Sequence, residues 1–419
     1  MTISHAQLNA AIEALRLVLP FTSPADGVIS RFFRERPKIG SKDRAFIAEL
    51  VFGVLRHKRL LDAACAPEAT PRRLALAWLV RNGYNPRMLE DITKEDERTW
   101  LGQSKAINRD TVSLDIAAEL PDWVVGALQS EGVADADILS IGQSMTRSAP
   151  LDIRVNTQMM KRDDVLARLL SDGFKASATP YSPYGIRLEG KPAINRHPLF
   201  EQGTIEVQDE GSQLLGMLVA PRRGEMVTDF CAGAGGKTLL LGMLMNSTGR
   251  LYAFDVSEKR LTNLKPRLAR SGLSNVQPQR IESENDTRIK RLAGKMDRVL
   301  VDAPCSGLGT LRRNPDLKFR QTATSVAELN AKQASILESA SRLVKAGGRL
   351  VYATCSILPA ENEHIVRAFL ERHPEFELTP ASQILADQRI ELDTGEMLKL
   401  HPQIHGCDGF FAAAMTRKS

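Results

Sequence analysis

From residue 221 to the end of the chain, β-strand patterns alternate with helical ones. Strand patterns occupy 225–230, 250–255, 297–302 and 349–356, each followed by a segment of helical periodicity, and 409–417 supplies one more strand. Such alternation is typical of parallel strands joined by crossover helices that cover both faces of one sheet. We therefore expect a Rossmann-like, doubly wound α/β domain with a mostly parallel sheet.

The first 220 residues follow different patterns. Residues 1–135 show apolar side chains almost throughout at helical spacing, which predicts an all-helical domain. In 136–220, strand patterns at 150–157 and 184–190 flank a helix at 161–174, which predicts a small α+β segment. One hydrophobic core stops growing at about 250–300 residues. We therefore expect three domains, at 1–135, 136–220 and 221–419.

Composition excludes several classes of protein. The five cysteines are widely spaced without a CxxC pair, and the histidines show no HExxH spacing, so we expect neither a disulfide scaffold nor a metal site. Apolar runs are shorter than the roughly 20 residues of a membrane span, and the start lacks the features of a secretory signal. We expect a cytoplasmic protein with no membrane partner. The net charge of +6 is compatible with nucleic acid without requiring it.

Three predicted strands end in residues suited to a cofactor. The segment DFCAGAGGKT (229–238) puts three glycines between a strand and a helix, so backbone N–H groups can approach a ligand. Asp255 ends its strand about 20 residues later, where an acid binds ribose hydroxyls in such folds. Alternatively, Asp255 is the N-cap of the next helix, a role that Ser257 could also fill. Asp302 ends the third strand. At this point NAD and S-adenosylmethionine (SAM) are both possible.

Cys305 and Cys355 each follow a predicted strand, at the same sheet edge as the glycine turn. A single free cysteine is most often an inert buried side chain, but two at one cofactor edge favour chemistry. C5 of cytosine is a poor nucleophile, and a thiolate that adds at C6 makes C5 able to attack the methyl group of SAM. Asp302, close to Cys305 in sequence, is the candidate acid for the N3 side of the base.

These segments resemble the Sun-type (Fmu-like, RsmB-like) family of SAM-dependent RNA cytosine-C5 methyltransferases. The similar strings, in the family's order, are DFCAGAGGKT, FDVSEKRL, VDAPCSGLGTLRRNPDLK, VYATCSILPAENE and DGFFAAAMTR. VQDEGSQL and LDIRVN extend the resemblance over about 150–419. The string SKDRAFIAELVFGVLRHKRLLD (41–62) is similar to the NusB-like helical domain that precedes the catalytic region in bacterial rRNA members of the family.

The resemblance implies roles for individual residues. Cys355 would be the nucleophile, Cys305 would assist product release, and Asp302 would be the acid of the pocket. The cofactor site would comprise Cys231, Ala232, Gly233, Ala234, Gly235, Gly236, Lys237, Asp255, Arg260, Glu282 and Asp302. The family usually has proline where this chain has Ala234, which should alter loop stiffness more than chemistry.

Some assignments stay open at the level of sequence. Glu282 is the first choice for an acid near the adenine, with Glu284 and Asp286 as alternatives. Lys318 is either a supporting residue or a surface residue, and its segment 311–320 is either an RNA-facing loop or solvated charge.

The resemblance implies an enzyme that forms 5-methylcytidine in RNA, most often ribosomal RNA, with SAM as cofactor. Its partners would be RNA alone, without membrane or metal, and we expect a monomer. The same chemistry on tRNA or DNA, a non-catalytic RNA-binding or ribosome-assembly factor with a relic SAM fold, and a Rossmann oxidoreductase are the alternatives.

Overall fold

The computed structural model describes residues 3–419, except for the side chain of Pro86. The chain divides into two compact units. The first runs through Ser148 and also includes Thr310–Ala323, and the second comprises Ala149–Gly309 and Thr324–Ser419.

The first unit is helical, as the sequence predicts. Its helices are α1 (His5–Val18), α2 (Ala25–Glu35), α3 (Ser41–Arg56), α4 (Lys58–Cys65), α5 (Pro71–Arg81), α6 (Glu95–Ser104), α7 (Leu114–Ala117), α8 (Asp122–Ser130) and α9 (Asp135–Met145), with 3₁₀ turns at Pro86–Ile92 and Arg109–Thr111. Local signals fix the ends. Ser4 and Gln7 form a capping box before α1, and Thr70 caps α5 ahead of Pro71, which lacks the N–H that would go unpaired. The core contains Leu8, Leu15, Leu50, Leu74 and Trp78 among others.

The segment Thr310–Ala323 packs within this helical unit although it follows Cys305 closely in sequence. The Asp316 carboxylate accepts a hydrogen bond of 3.2 Å from the Ala25 backbone N–H at the start of α2. Phe319 stacks on Phe21 with ring centroids 4.6 Å apart. Buried contacts of this kind make the segment an integral part of the unit.

The second unit begins with a small α+β subdomain. Its strands are β1 (Leu151–Val155), β2 (Ala176–Ala178), β3 (Gly185–Leu188) and β4 (Ile205–Val207), with α10 (Arg162–Ser171), a 3₁₀ turn at Ile194–Arg196 and α11 (Pro198–Glu201). They form an antiparallel sheet in the order β2-β3-β1-β4. Ile153, Ile186 and Ile205 lie in its core with Val165 and Leu169 of α10. The connectivity β-α-β-β-α-β is that of a ferredoxin-like fold.

The main sheet carries the candidate site. Its strands are β5 (Met226–Asp229), β6 (Arg250–Asp255), β7 (Val276–Arg280), β8 (Met296–Asp302), β9 (Val344–Thr354), β10 (Phe376–Thr379), β11 (Leu398–Leu400) and β12 (Phe410–Arg417). Its helices are α12 (Glu210–Val219), α13 (Gly236–Leu244), α14 (Glu258–Ser271), α15 (Thr287–Lys290), α17 (Ala323–Ser341), α18 (Glu363–Arg372), α19 (Ala381–Ala386) and α20 (Pro402–His405), while α16 (Leu317–Arg320) belongs to the first unit. Two 3₁₀ turns lie at Leu308–Thr310 and Pro359–Glu361.

Strands run in the order β10-β12-β9-β8-β5-β6-β7, with β11 paired to β12. The pairs among β5 to β9 are parallel, and β10, β11 and β12 are antiparallel to their neighbours. Because side chains alternate along a strand, Phe410, Ala412 and Ala414 of β12 enter the core on one face and Phe411 and Ala413 enter the core on the other. The predicted Rossmann-like, mostly parallel sheet is confirmed.

None of the helices in the described chain combines the length and hydrophobicity of a membrane span. Within residues 3–419, no three His, Cys, Asp or Glu side chains are grouped so as to hold a metal ion.

Candidate active site

A cavity of about 490 Å³ lies at the carboxyl ends of β5, β6, β8 and β9. This is the edge at which ligands bind in open parallel sheets. The residues predicted from sequence that line it are Cys231, Ala232, Gly233, Ala234, Gly236, Lys237, Asp255, Arg260, Asp302, Cys305 and Cys355. One cavity thus brings together the glycine turn, two strand-end acids and both cysteines.

The glycine turn between β5 and α13 is held by Asp255. Gly233 and Gly235 have φ of +57° and +86°, a region that residues with a Cβ rarely adopt. One Asp255 oxygen accepts the Gly233 N–H at 2.8 Å, and the other accepts the Ser257 N–H at 2.7 Å. Ser257 is the N-cap of α14. Asp255 therefore does not act as the cap, and its carboxylate positions the loop at the cavity edge.

Of the three acids left open by the sequence, Glu284 lies in the cavity wall, and our first choice, Glu282, does not. Glu284 pairs with Lys332 at 2.6 Å and accepts a hydrogen bond from Ser335. Asp286 instead caps α15. Because the chain continues for several residues beyond β7 before α15, its strand pattern could not tell which acid points inward. Gly235 also lies outside the cavity lining, since its Cα faces Leu264.

Lys237 and Asp302 form an ion pair across the cavity, with 2.7 Å between Nζ and Oδ2. Burial lowers the pKa of Lys237, but the attraction of Asp302 outweighs it, so the pKa lies above its usual value. Behind this pair, burial raises the pKa of Asp229 to about 7, although Thr238 donates a hydrogen bond of 2.7 Å to it. Lys237 is therefore a fixed positive charge that holds the Asp302 carboxylate in place.

The two cysteine sulfurs are in contact, with 3.4 Å between Sγ of Cys305 and Sγ of Cys355. The Cys355 backbone N–H also points at the Cys305 sulfur at 3.4 Å. The contact with Cys355, followed by burial, raises the pKa of the Cys305 thiol well above its usual range. Burial and nearby acids likewise raise the pKa of Cys231. Cys305 and Cys231 are therefore neutral thiols at physiological pH.

Sequence reasoning missed the carboxylate that ties the two cysteine loops together. Glu361 is fully buried and accepts hydrogen bonds from the Ser306 N–H at 2.8 Å and from the Ser306 hydroxyl. It also accepts bonds from the Ser356 hydroxyl and, at 3.0 Å, from the Gln333 amide. Ser306 and Ser356 directly follow the two cysteines, so one carboxylate fixes both loops. The serine after each cysteine is the signal that could have revealed this.

The apolar wall of the cavity was also missed. Val256, with 54% of its surface exposed, follows Asp255 directly, and Ile281 and Ile336 line the same cavity. These side chains offer an apolar surface beside the acids.

Lys318 is not a surface residue. It is buried, and its ammonium donates to the Arg56 and Glu119 carbonyls and to the Glu119 carboxylate. Residues Leu311, Arg312 and Asp316 of the same segment are buried as well. The interpretation of 311–320 as solvated charge is therefore wrong, because Lys318 and Asp316 bond to residues of the helical unit that are far away in sequence.

Comparison with known proteins places these features in a family. Residues 216–416 match the family model described as 16S rRNA methyltransferase RsmB/F, and residues 120–195 match that of a ferredoxin-like domain of RsmF/B-like methyltransferases. A Synechocystis protein named "Probable ribosomal RNA small subunit methyltransferase B" is 32% identical over 99% of this chain and 100% of its own. The chain belongs to the RsmB/F methyltransferase family.

Other members of the RsmB/F family and one solved structure agree with this. Ribosomal RNA small subunit methyltransferase B of Salmonella typhi is 29% identical over 98% of each chain. The crystal structure of PH0851 superposes with a TM-score of 0.79, at 26% identity over 99% of each chain. The RsmB/F-type catalytic domain and the small sheet before it thus recur together in known proteins.

Proposed function

We propose that this protein transfers a methyl group from SAM to C5 of a cytidine in small-subunit ribosomal RNA, through a covalent bond between Cys355 and C6 of the base. The observation that carries the proposal is the contact between Cys305 and Cys355 inside the cavity that also holds Lys237 and Asp302. The names of the full-length relatives support ribosomal RNA of the small subunit as the substrate.

The cavity fits SAM in chemistry and size. The positive-φ glycine turn leaves its backbone open to a ligand, and Asp255 lies at the strand end where ribose hydroxyls bind in this architecture. Val256 and Ile281 would cover the apolar adenine, with Glu284 beside them. When bound, SAM supplies an electrophilic methyl group on a positively charged sulfur.

Cys355 would begin the reaction on the base. Its thiolate adds to C6, and the electron pair of the C5=C6 bond shifts so that C5 becomes nucleophilic. A proton held by the Lys237–Asp302 pair would pass through Asp302 to the N3 side of the base, which stabilises the charge that develops there. The ion pair with Lys237 fixes the Asp302 carboxylate for this task.

Product release requires the C5 proton to leave and the C6–S bond to break. The C5–H electron pair re-forms the C5=C6 double bond, and the sulfur departs as the Cys355 thiolate. Cys305, whose thiol touches the Cys355 sulfur, is placed to donate its S–H to the departing thiolate and to take up the C5 proton in exchange, so that both cysteines end the cycle as thiols. This gives Cys305 a role in release and Cys355 the role of nucleophile.

The test compares Cys355→Ala and Cys305→Ala, with Cys231→Ala as a matched control that removes another thiol of the same cavity. Each protein is mixed with SAM and unmodified small-subunit rRNA and then run on a denaturing gel. We expect a stable protein–RNA band for Cys305→Ala, none for Cys355→Ala, and no accumulated band for Cys231→Ala. Mass spectrometry of the wild-type product should show 5-methylcytidine.

The opposite band pattern would make Cys305 the nucleophile and overturn the assignment of roles. No band from any variant, together with no methyl transfer by the wild type, would overturn the proposed reaction and favour an RNA-binding factor without catalysis.

A further inference from the structure

A second cavity, of about 520 Å³, lies within the helical unit and takes no part in the proposed reaction. Its charged and aromatic lining residues are His57, Trp78, Arg81, Arg109 and Asp110, accompanied by the amides of Asn82, Asn108 and Gln143. Side-chain amides, an aromatic ring and guanidinium groups are the groups with which proteins bind nucleotides.

Within residues 3–419, neither arginine of this cavity has a carboxylate partner. At the start of α5, Arg72 forms an ion pair with Glu97 at 2.6 Å. Arg81, at the end of the same helix, donates only to the carbonyls of Ser104 and Ile107. Its Nε is buried without a hydrogen-bond partner. Among residues 3–419, no carboxylate lies within ion-pair distance of Arg81, so its charge is not neutralised by contact.

Arg109 is the second arginine of the cavity. Its Nε is also buried without a partner, and within the described chain its guanidinium makes no ion pair. Asp110 is adjacent in sequence and lines the cavity, but it does not pair with Arg109. A guanidinium whose charge is balanced by no carboxylate of the described chain favours an anion in the cavity beside it.

His57 reports the electrostatics of the cavity. Burial, and then the positive charges of Lys318, Arg109, Arg56 and Arg81, lower the pKa of His57 to about 4. The imidazole is therefore neutral at physiological pH and can donate or accept one hydrogen bond. With His57 neutral, the charged lining consists of two arginines and one aspartate, a net positive balance that favours an anion.

We propose that this cavity binds one nucleotide of the RNA substrate, with the phosphate at Arg109 and Arg81 and the base beside Trp78 and the amides. The volume admits a nucleotide, and a phosphate supplies the negative charge that neither arginine contacts within residues 3–419. The inference rests on the proposed function only in taking RNA as the substrate. It assigns the helical unit a defined contact rather than a diffuse attraction by charge.

The test measures RNA binding by the full-length protein with Arg109→Ala. Arg98→Ala is the matched control, because Arg98 is exposed on α6 of the same unit and lies outside the cavity. With unmodified small-subunit rRNA, we expect Arg109→Ala to bind about tenfold more weakly, the loss of one charge-assisted contact. The slope of log affinity against log salt should fall by about 0.7, the value for one phosphate on a single strand. Arg98→Ala should match the wild type in both quantities.

A crosslinking experiment locates the contact. Wild-type protein is irradiated with rRNA that contains 4-thiouridine, and the crosslinked peptides are sequenced. We expect crosslinks in the peptides that contain Trp78 or His57, and their loss in Arg109→Ala. Excess CMP serves as a competitor. If CMP abolishes these crosslinks while overall RNA affinity is unchanged, the cavity is a site for free nucleotides and the proposal is overturned.

The proposal is also overturned if Arg109→Ala binds RNA like Arg98→Ala and crosslinks fall outside the cavity. Urea unfolding of both variants excludes a loss of folding as the cause. The outcomes separate this proposal from the proposed reaction. Weakened RNA binding without any Cys355 adduct would refute the reaction alone, and a normal adduct with unchanged RNA binding would refute the cavity alone.

Discussion

The two units each contain a buried lysine paired with a carboxylate, and the two pairs differ in what surrounds them. Lys237 and Asp302 are 2.7 Å apart, with 11% and 32% of their side chains exposed, in the wall of the candidate active-site cavity. Lys318 and Glu119 are 2.9 Å apart, with 3% and 2% exposed. The first pair is accessible to a ligand and the second is sealed in protein.

The two pairs also differ in the hydrogen bonds that their carboxylates accept. In the sealed pair, Glu119 accepts the backbone N–H groups of Arg59 and Leu60 at the start of α4, besides the Lys318 ammonium. Burial lowers the pKa of Lys318, whereas the pKa of Lys237 is raised because Asp302 outweighs its burial. A lysine–carboxylate pair therefore stabilises the fold when all its hydrogen bonds are made within the protein. It can take part in a reaction when its carboxylate faces a cavity.

The largest effect should come from breaking the sealed pair. Lys318→Met leaves Glu119 charged and buried without a counter-ion, which should lower the free energy of unfolding by about 3–5 kcal/mol. Urea denaturation would measure this, with hydrogen exchange of α4 to locate it. The double variant Lys318→Met/Glu119→Gln should recover part of the loss. A single variant within about 0.5 kcal/mol of wild type would contradict the structural role.

Breaking the accessible pair should affect the reaction more than the fold. Lys237→Met leaves an Asp302 carboxylate that solvent can reach, so we expect a loss of only about 1 kcal/mol in stability. The single-turnover rate of methyl transfer should fall about a hundredfold, as when a charge-stabilising group is removed from an active site. Lys332→Met, which changes another lysine of the same cavity, is the control and should mainly weaken cofactor binding. Equal losses of rate in both would refute a specific role for Lys237.

Glu361 is fully buried, like the Lys318–Glu119 pair, and it also fixes the two loops that carry Cys305 and Cys355. Glu361→Gln replaces one acceptor oxygen by a donor that faces hydroxyl groups, and we expect adduct formation in the Cys305→Ala background to slow about tenfold. Affinity for RNA should stay unchanged, a separation that a general loss of structure would not produce. Glu363→Gln, two residues further on and paired with Lys399, is the control and should retain the full rate.

The smallest effect should come from a pair in solvent. Lys175 and Glu189 are 3.3 Å apart, with 77% and 69% of their side chains exposed. Lys175→Ala should change the free energy of unfolding by less than about 0.5 kcal/mol, because water replaces the partner. A loss above 1 kcal/mol by urea denaturation would show that burial is not what separates the strong pairs from the weak ones.

Several parts of the candidate site could be predicted from the sequence. The alternation from residue 221 onward predicts the parallel sheet, and the carboxyl ends of parallel strands share one edge. The sequence therefore places four residues near the glycine turn whatever the path of the segments between the strands: Asp255, Asp302, Cys305 and Cys355. Position along a strand was sufficient for these residues.

Residues outside the strands were harder to place. The sequence favoured Glu282 over Glu284 as the acid near the cofactor. Only the three-dimensional path of the loop after β7 shows that Glu284 is the acid that lines the cavity. The sequence left Lys318 open between a supporting residue and a surface residue, because its partner Glu119 is 199 positions away.

The sequence by itself determined five strands of the main sheet, the glycine turn and the chemistry available at the strand ends, because periodicity and turn residues act locally. The strands β7, β10 and β11 became visible only in the structure. Only the tertiary structure decided that Glu361 joins both cysteine loops, that Lys318 is sealed in the helical unit and that Arg81 and Arg109 share a cavity. These are contacts between segments far apart in the chain. Their energies depend on burial and on exact partners, and neither is encoded in the local pattern.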